Sequence, residues 1–198
     1  DYNLEDARAL LECVAKTLKV PTANLNAAFE DPYYQIWQDG SLYDEDRSNG
    51  HREAALLELL RRKDEAKGFV LPLGWHGGEE RFLSSRWGFL RDALYLMPGD
   101  SPIGYRLPLA RLPAEKVPVA AVAADPLGEI EPLPSDAATG LADLPADAGS
   151  FDGMIRTALC VEVREGALYV FLPPVANGEV FALLLGAIEQ AAAARNTP

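Results

Sequence analysis

Side chains that bind metals or act as nucleophiles are scarce in this sequence. Its 198 residues include two cysteines and two histidines. Cys13 and Cys160 are far apart and in no metal-ligand spacing, so neither a disulfide framework nor a zinc site is indicated. Cys13 falls within the helical pattern Ala7, Leu10, Leu11, Val14, Leu18, and Cys160 within the strand-like "TALCVEV"; both read as small buried hydrophobes. A thiol-protease arrangement would put its nucleophile at Cys13, in mid-helix rather than at a helix start, and fails on geometry. His51 opens a helical stretch and His76 lies in "GWHGGEE", a loop, so both read as exposed. No Walker pattern and no glycine-rich nucleotide turn after a strand is present. The acidic run Asp44, Asp46, Ser48 imitates a calcium loop, but Asn49 stands where the turn glycine belongs and Ala55 where the bidentate glutamate belongs.

Positive charge is also scarce. Eighteen Lys and Arg face 30 Asp and Glu, a formal charge of -12, which repels phosphate backbones and anionic lipid; no nucleic-acid or membrane partner is expected. Apolar stretches are short, and the first residues lack the basic region and apolar segment of a signal peptide. A cytoplasmic location is the expectation. The chain starts without Met and inside a helix-start signal, which reads as a piece of a longer protein.

What is present is 48% apolar residues in periodic blocks, enough for one substantial core or two small ones. Asn3 and Asp6 form a capping pair ahead of a helix that runs toward Val20 and is stopped by Pro21. A second helix is expected over Leu25 to Trp37, with Pro32 able to split it, and a third over "HREAALLELLRRKDEA". From Phe69 the period changes: "FVLPL", "RWGFLR", "ALYLM" and "YRLPL" read as an antiparallel meander. Residues 113–150, rich in Pro, Ala, Asp and Gly, read as a linker or long surface loop. "RTALCVEVREGALYVFLPP" then forms a hairpin turning at Gly166, followed by an amphipathic helix over Glu179 to Arg195. The expected fold is therefore α+β: N-terminal helices, a mainly antiparallel sheet, and a C-terminal hairpin plus helix. Residues 1–112 and 151–198 form its two parts.

The least generic run is "YLMPGDSPIGYRLPL". Gly99 and Gly104 widen the allowed backbone, Pro102 fixes φ, and Asp100 and Ser101 can bond to nearby amides. Asp100 faces Arg106 or Arg91 in this reading, placing an ion pair and spare donors beside Trp87 and Phe89. Trp87, Arg91, Asp100, Ser101 and Arg106 are thus candidates for holding a carboxylate or peptide group, the alternative being a purely structural ion pair. In the hairpin, Glu162 shares a strand face with Ala158 and Cys160 and reads as an edge or solvent-side carboxylate; Arg156 raises a similar question.

"FVLPL", "SSRWGFLRDALYLMPGDSPIGYRLPL" and "RTALCVEVREGALYVFLPPV", with "EDPYYQIW" near the front, resemble in order the blocks of a large bacterial family known as putative amidoligases. The sequence departs from the family pattern after Trp37, at "GSLYDEDRSNG", and in the stretch after Pro113. The resemblance implies a parent protein that makes or remodels amide bonds. Its ligase core would be similar to glutamine-synthetase-like carboxylate-amine ligases using ATP and magnesium, and would follow a transglutaminase-like domain. This chain would be the segment between those two flanking domains, with no cofactor of its own. It would serve as an accessory or substrate-positioning domain, inactive alone, that meets a peptide or carboxylate substrate. The alternatives are a ligase-site fragment contributing Arg156, Glu162 or Asp100, and a structural spacer.

Overall fold

The computed structural model describes residues 1–31, 57, 65–89, 93–113, 139–146, 149–175 and 177–196. Helix α1 (Leu4–Thr17) begins in a reciprocal cap: the Asn3 side chain accepts from the Glu5 and Asp6 N–H groups, while Asp6 accepts from the Asn3 N–H. Its buried stripe is Ala7, Leu10, Leu11, Val14 and Ala15. The helix ends before the expected Val20, because Lys19 takes a left-handed conformation (φ 56°) and sends its ammonium to the Leu144 carbonyl.

The expected second helix is absent over its described part. A 3-10 turn (Thr22–Asn24) leads into strand β1 (Asn26–Phe29), which pairs with β2 (Ala66–Pro72) on one side and β5 (Leu94–Tyr95) on the other. Ala28 sits fully buried between them. Sheet pairing on both sides satisfies this backbone, and tertiary context overrides the propensity of a short stretch boxed in by Pro21 and Pro32. Residues 32–37 and most of the expected third helix lie outside the described residues; of the latter Leu57 is helical, whereas Glu65 is not and Ala66 already opens strand β2.

The main sheet has the order β5-β1-β2-β6-β7, where β6 is Ala158–Arg164 and β7 is Ala167–Phe171. All pairings are antiparallel except β1 with β5. This confirms the α+β class but not the meander. β2 pairs with β6, nearly a hundred residues on, so the parts on either side of 113–150 share one sheet. A separate pair, β3 (Gly74–His76) and β4 (Arg81–Leu83), stacks Trp75 edge-on against Phe82 at 5.0 Å. Neither "RWGFLR" nor "YRLPL" supplies a strand among the described residues. With β1 and β6 occupying both sides of β2, the latter segment instead folds into 3-10 turns at Ile103–Tyr105 and Leu109–Arg111, helped by Pro108, which has no N–H to give a ladder.

Alternation along β2 and β6 divides the molecule into layers. Leu71, Leu159 and Val161 face α1 and helix α2 (Gly178–Ala194), together with Leu10, Leu11, Leu18 and Leu184. Val70 and Cys160 face the other way, under Trp87, Leu96, Ile103, Leu107 and Leu112. The end of the expected linker joins the helical layer through buried Leu141 and Leu144, and Ser150 bridges to Ser84. The expected hairpin is present, with Glu165 (φ 50°) and Gly166 (φ 75°) forming a two-residue connection of the primed type. Asn177 caps α2 by accepting from the Val180 N–H. No helix among the described residues is long and apolar enough to cross a membrane.

Candidate functional site

The run from Met97 to Arg106 crosses the second face of the sheet as a strap, and three charged side chains tie it down. Arg106 is 6% exposed. Its Nε donates to the Met97 carbonyl at 2.7 Å, and its two terminal nitrogens grip both oxygens of Glu30, just past β1, with Nη1 to Oε1 at 2.8 Å. The Met97 N–H in turn donates to the Arg106 carbonyl at 2.7 Å, closing the base of the turn. Glu162, on β6, accepts from the Ile103 N–H at 3.0 Å. Arg164 donates to the Asp100 carbonyl at 3.1 Å.

The expected Asp100–Arg106 pair is therefore not formed. Asp100 is exposed and its side chain has no partner among the described residues; only its carbonyl is used. Arg106 takes the carboxylate of Glu30 because the guanidinium points under the strap toward the sheet, where the residue just past β1 presents an acid that matches its fork. Ser101 is exposed as well, and Arg91 lies outside the described residues. Trp87 is buried, donates from Nε1 to the Ile155 carbonyl at 2.7 Å, and meets Phe89 edge-on at 6.0 Å. It packs the core and, with Asn24, Asn26, Arg86 and Phe89, also lines a cleft of about 380 Å³.

Glu162 also departs from expectation. β6 lies between β2 and β7, and the strap covers its face, so Glu162 is 5% exposed instead of standing at an edge. Its Oε2 carries the Ile103 bond, while Oε1 has the Arg164 Nε at 3.4 Å, close enough for charge attraction but without hydrogen-bond geometry. Neighbouring Cys160 is sealed beneath the strap. Burial first, and then the Glu162 charge, pushes its thiol from 9.0 up to about 12. A thiol raised in this way keeps its proton in the folded state while the unfolded chain loses it. Its contribution to stability is fully present below pH 9.0 and is lost as pH rises toward about 12. In native protein at pH 8, iodoacetamide is expected to leave Cys160 unmodified and to label it only on denaturation; rapid native labelling would show that the strap does not cover it.

Arg156 opens onto a larger, more apolar cleft than the one beside Trp87. Arg156 stands just before β6, and its only hydrogen bond among the described residues runs from Nη2 to the Leu109 carbonyl at 2.7 Å. No described carboxylate pairs with it. It lines a cleft of about 480 Å³ whose walls are Tyr105, Leu107 and Leu109 on one side and Phe171, Leu172 and Pro173 on the other. Among the described residues, no acid lines this space. Tyr105 is 83% exposed at its rim, and at Gly104 the strap runs alongside Phe171, where even a Cβ would meet the Phe171 Cβ only in van der Waals contact at 3.4 Å. A guanidinium with donors to spare in apolar surroundings suits a carboxylate, because low local polarity strengthens a charge-assisted hydrogen bond.

The structure thus separates the sequence candidates. Arg106 and Glu162 fasten the strap, and Arg156, bonded to the Leu109 carbonyl, lines the cleft that the strap helps to wall. Glu30, Tyr105 and Phe171 were not singled out from the sequence. Glu30 was hidden by the helical reading of its segment. Tyr105 and Phe171 sit 66 residues apart, and only the strap's path across the sheet brings them together. Among the described residues, no group of three or more His, Cys, Asp or Glu could hold a metal ion.

The profile of a family described as "Putative amidoligase enzyme (DUF2126)" matches residues 1–198. No curated protein and no solved structure matches the chain.

Proposed function

This chain belongs to the family described as "Putative amidoligase enzyme", and on that premise we propose that it is a substrate-positioning domain of an amide-bond-forming or remodelling protein. In this reading the Arg156 cleft receives the carboxylate or peptide group to be joined or released. The observation that carries it is the Arg156 guanidinium, without a described carboxylate partner, in an apolar cleft of about 480 Å³. Fixing one reactant in place lowers the entropic cost of a bimolecular step even when the chemistry occurs elsewhere. The ATP and magnesium implied by an amidoligase, and a transglutaminase-like partner domain, belong in this proposal to other parts of a longer chain.

Two experiments test it. The purified chain is expected to show no ATP turnover and no amide formation; turnover lost in Glu162→Gln would favour the ligase-fragment reading instead. In calorimetric titrations with acetyl-glutamate and acetyl-glutamine, the acid is expected to bind the wild type about tenfold more tightly than the amide, a preference that Arg156→Gln removes. Equal binding of both by the wild type would sink the carboxylate assignment and leave the spacer reading.

A further inference from the structure

Strand β7 is an outer strand whose second side carries no strand among the described residues. Its sequence, Ala167–Phe171, contains no charged residue and no proline, the devices that usually blunt a free edge. The register shows which backbone groups are available. A two-residue primed connection makes Arg164 and Ala167 a hydrogen-bonded pair, and such pairs alternate along an antiparallel ladder. Glu162 with Tyr169, and Cys160 with Phe171, are therefore the next bonded pairs. Leu168 and Val170 turn their N–H and C=O groups away from β6, and no backbone partner meets them among the described residues. This edge runs into the cleft, which is lined by Val170, Phe171 and Leu172 and holds Arg156.

We propose that β7 takes an extended acidic peptide as an added strand, main chain paired to Leu168 and Val170 and a carboxylate bound to Arg156. Strand addition draws affinity from the main chain and specificity from pockets for alternate side chains. Here the pocket is the apolar cleft and the charge selector is Arg156. The charge balance favours this occupant over a second copy of the chain. Among the described liners Arg156 is the one charged residue and attracts an acid, and the chain's charge of -12 opposes a second copy carrying the same -12 far more than a short peptide with two carboxylates. Leu168 to Leu172 spans roughly 16 Å of strand, so a peptide of about five residues fills it. The carboxylate end of this inference rests on the function proposed above; the strand pairing does not.

The probe is acetyl-Thr-Val-Thr-Val-Glu with a free C-terminus, compared with its Gln-amide analogue and with a version N-methylated at alternate residues. Amide signals of the labelled 198-residue chain are followed by NMR. The acidic peptide is expected to shift Leu168 and Val170 and to slow their hydrogen exchange, with Ala167, Tyr169 and Phe171 already protected by β6. N-methylation that blocks pairing and Val170→Pro, which removes an outward N–H without touching the β6 ladder, are each expected to weaken binding about tenfold. Loss of affinity with Arg156→Gln but not with N-methylation would leave the carboxylate site and overturn strand addition. The converse would support strand addition and overturn the carboxylate reading. Concentration-dependent dimers that Val170→Pro abolishes would make a second copy the occupant and refute the peptide, as would shifts confined to other surfaces. The N-methylated peptide gives the same test on unaltered protein if Val170→Pro does not fold.

Discussion

Arg106→Gln is expected to lower the unfolding free energy by about 3 kcal/mol, because it leaves the Glu30 carboxylate in a largely desolvated position with its fork partner gone. The Met97 carbonyl loses its donor in the same change. Glu30→Gln removes the charge from the other side and is expected to cost somewhat less, since Glu30 is 19% exposed and water can reach the residual site. The double variant should be less destabilised than the two single losses added together, as expected for groups that share one interaction. Asp100→Asn, at an exposed side chain without a described partner, should stay within about 0.5 kcal/mol of wild type. Urea denaturation of the four variants checks this. An Asp100 effect as large as that of Arg106 would restore the ion pair that the sequence suggested and contradict the Glu30 pairing.

Gly68→Ala is expected to be similarly damaging. Gly68 lies opposite Glu162 in the β2–β6 ladder, where a Cβ would stand 2.4 Å from the Val161 carbonyl oxygen and 2.9 Å from the Ile103 Cδ1. The first contact is with backbone and cannot be relieved by rotating a side chain. Either the ladder opens at its Gly68 end or the strap lifts from the sheet, at a cost of about 3 kcal/mol, the upper part of the range for overpacked cores. Two readouts distinguish these responses. Lifting the strap would make Cys160 reactive to iodoacetamide in the native state, whereas a parted ladder would instead speed hydrogen exchange of β2 and β6 amides. A variant with wild-type stability would mean that the strap and sheet are less closely packed than the structure shows.

The strap explains why the class of fold was legible and its wiring was not. The Asn3–Asp6 cap, the hairpin at Glu165–Gly166 and the capped final helix are set by neighbours in sequence, and periodicity with turn chemistry found each of them. β1 depends on pairing with β2, about forty residues away, and β2 on β6, nearly a hundred away. No local pattern records such partners. "LNAAFE" therefore read as helix and "YRLPL" as strand, although the first holds strand β1 at Asn26–Phe29 and the second joins two 3-10 turns.

The candidate site was legible to the same degree. Arg106 stood out correctly as a residue needing a carboxylate, but the nearest one in sequence, Asp100, was assigned in place of the one nearest in space, Glu30. Glu162 was placed on the correct strand face; that this face would be roofed by the strap could not be read from alternation, which distinguishes two sides without saying what covers either. Arg156 was singled out as a ligase-site candidate, and the structure adds the cleft around it and the lack of a described carboxylate partner.

The carboxylate assignment is tested most directly by following the Arg156 Nε–H resonance while acetyl-glutamate is added to the labelled chain, with acetyl-glutamine as the uncharged control. A downfield shift that saturates with the acid, is absent with the amide and is accompanied by shifts of Phe171 and Leu172 is the result this account predicts. An Arg156 signal unmoved by the acid, or moved equally by the amide, would contradict it.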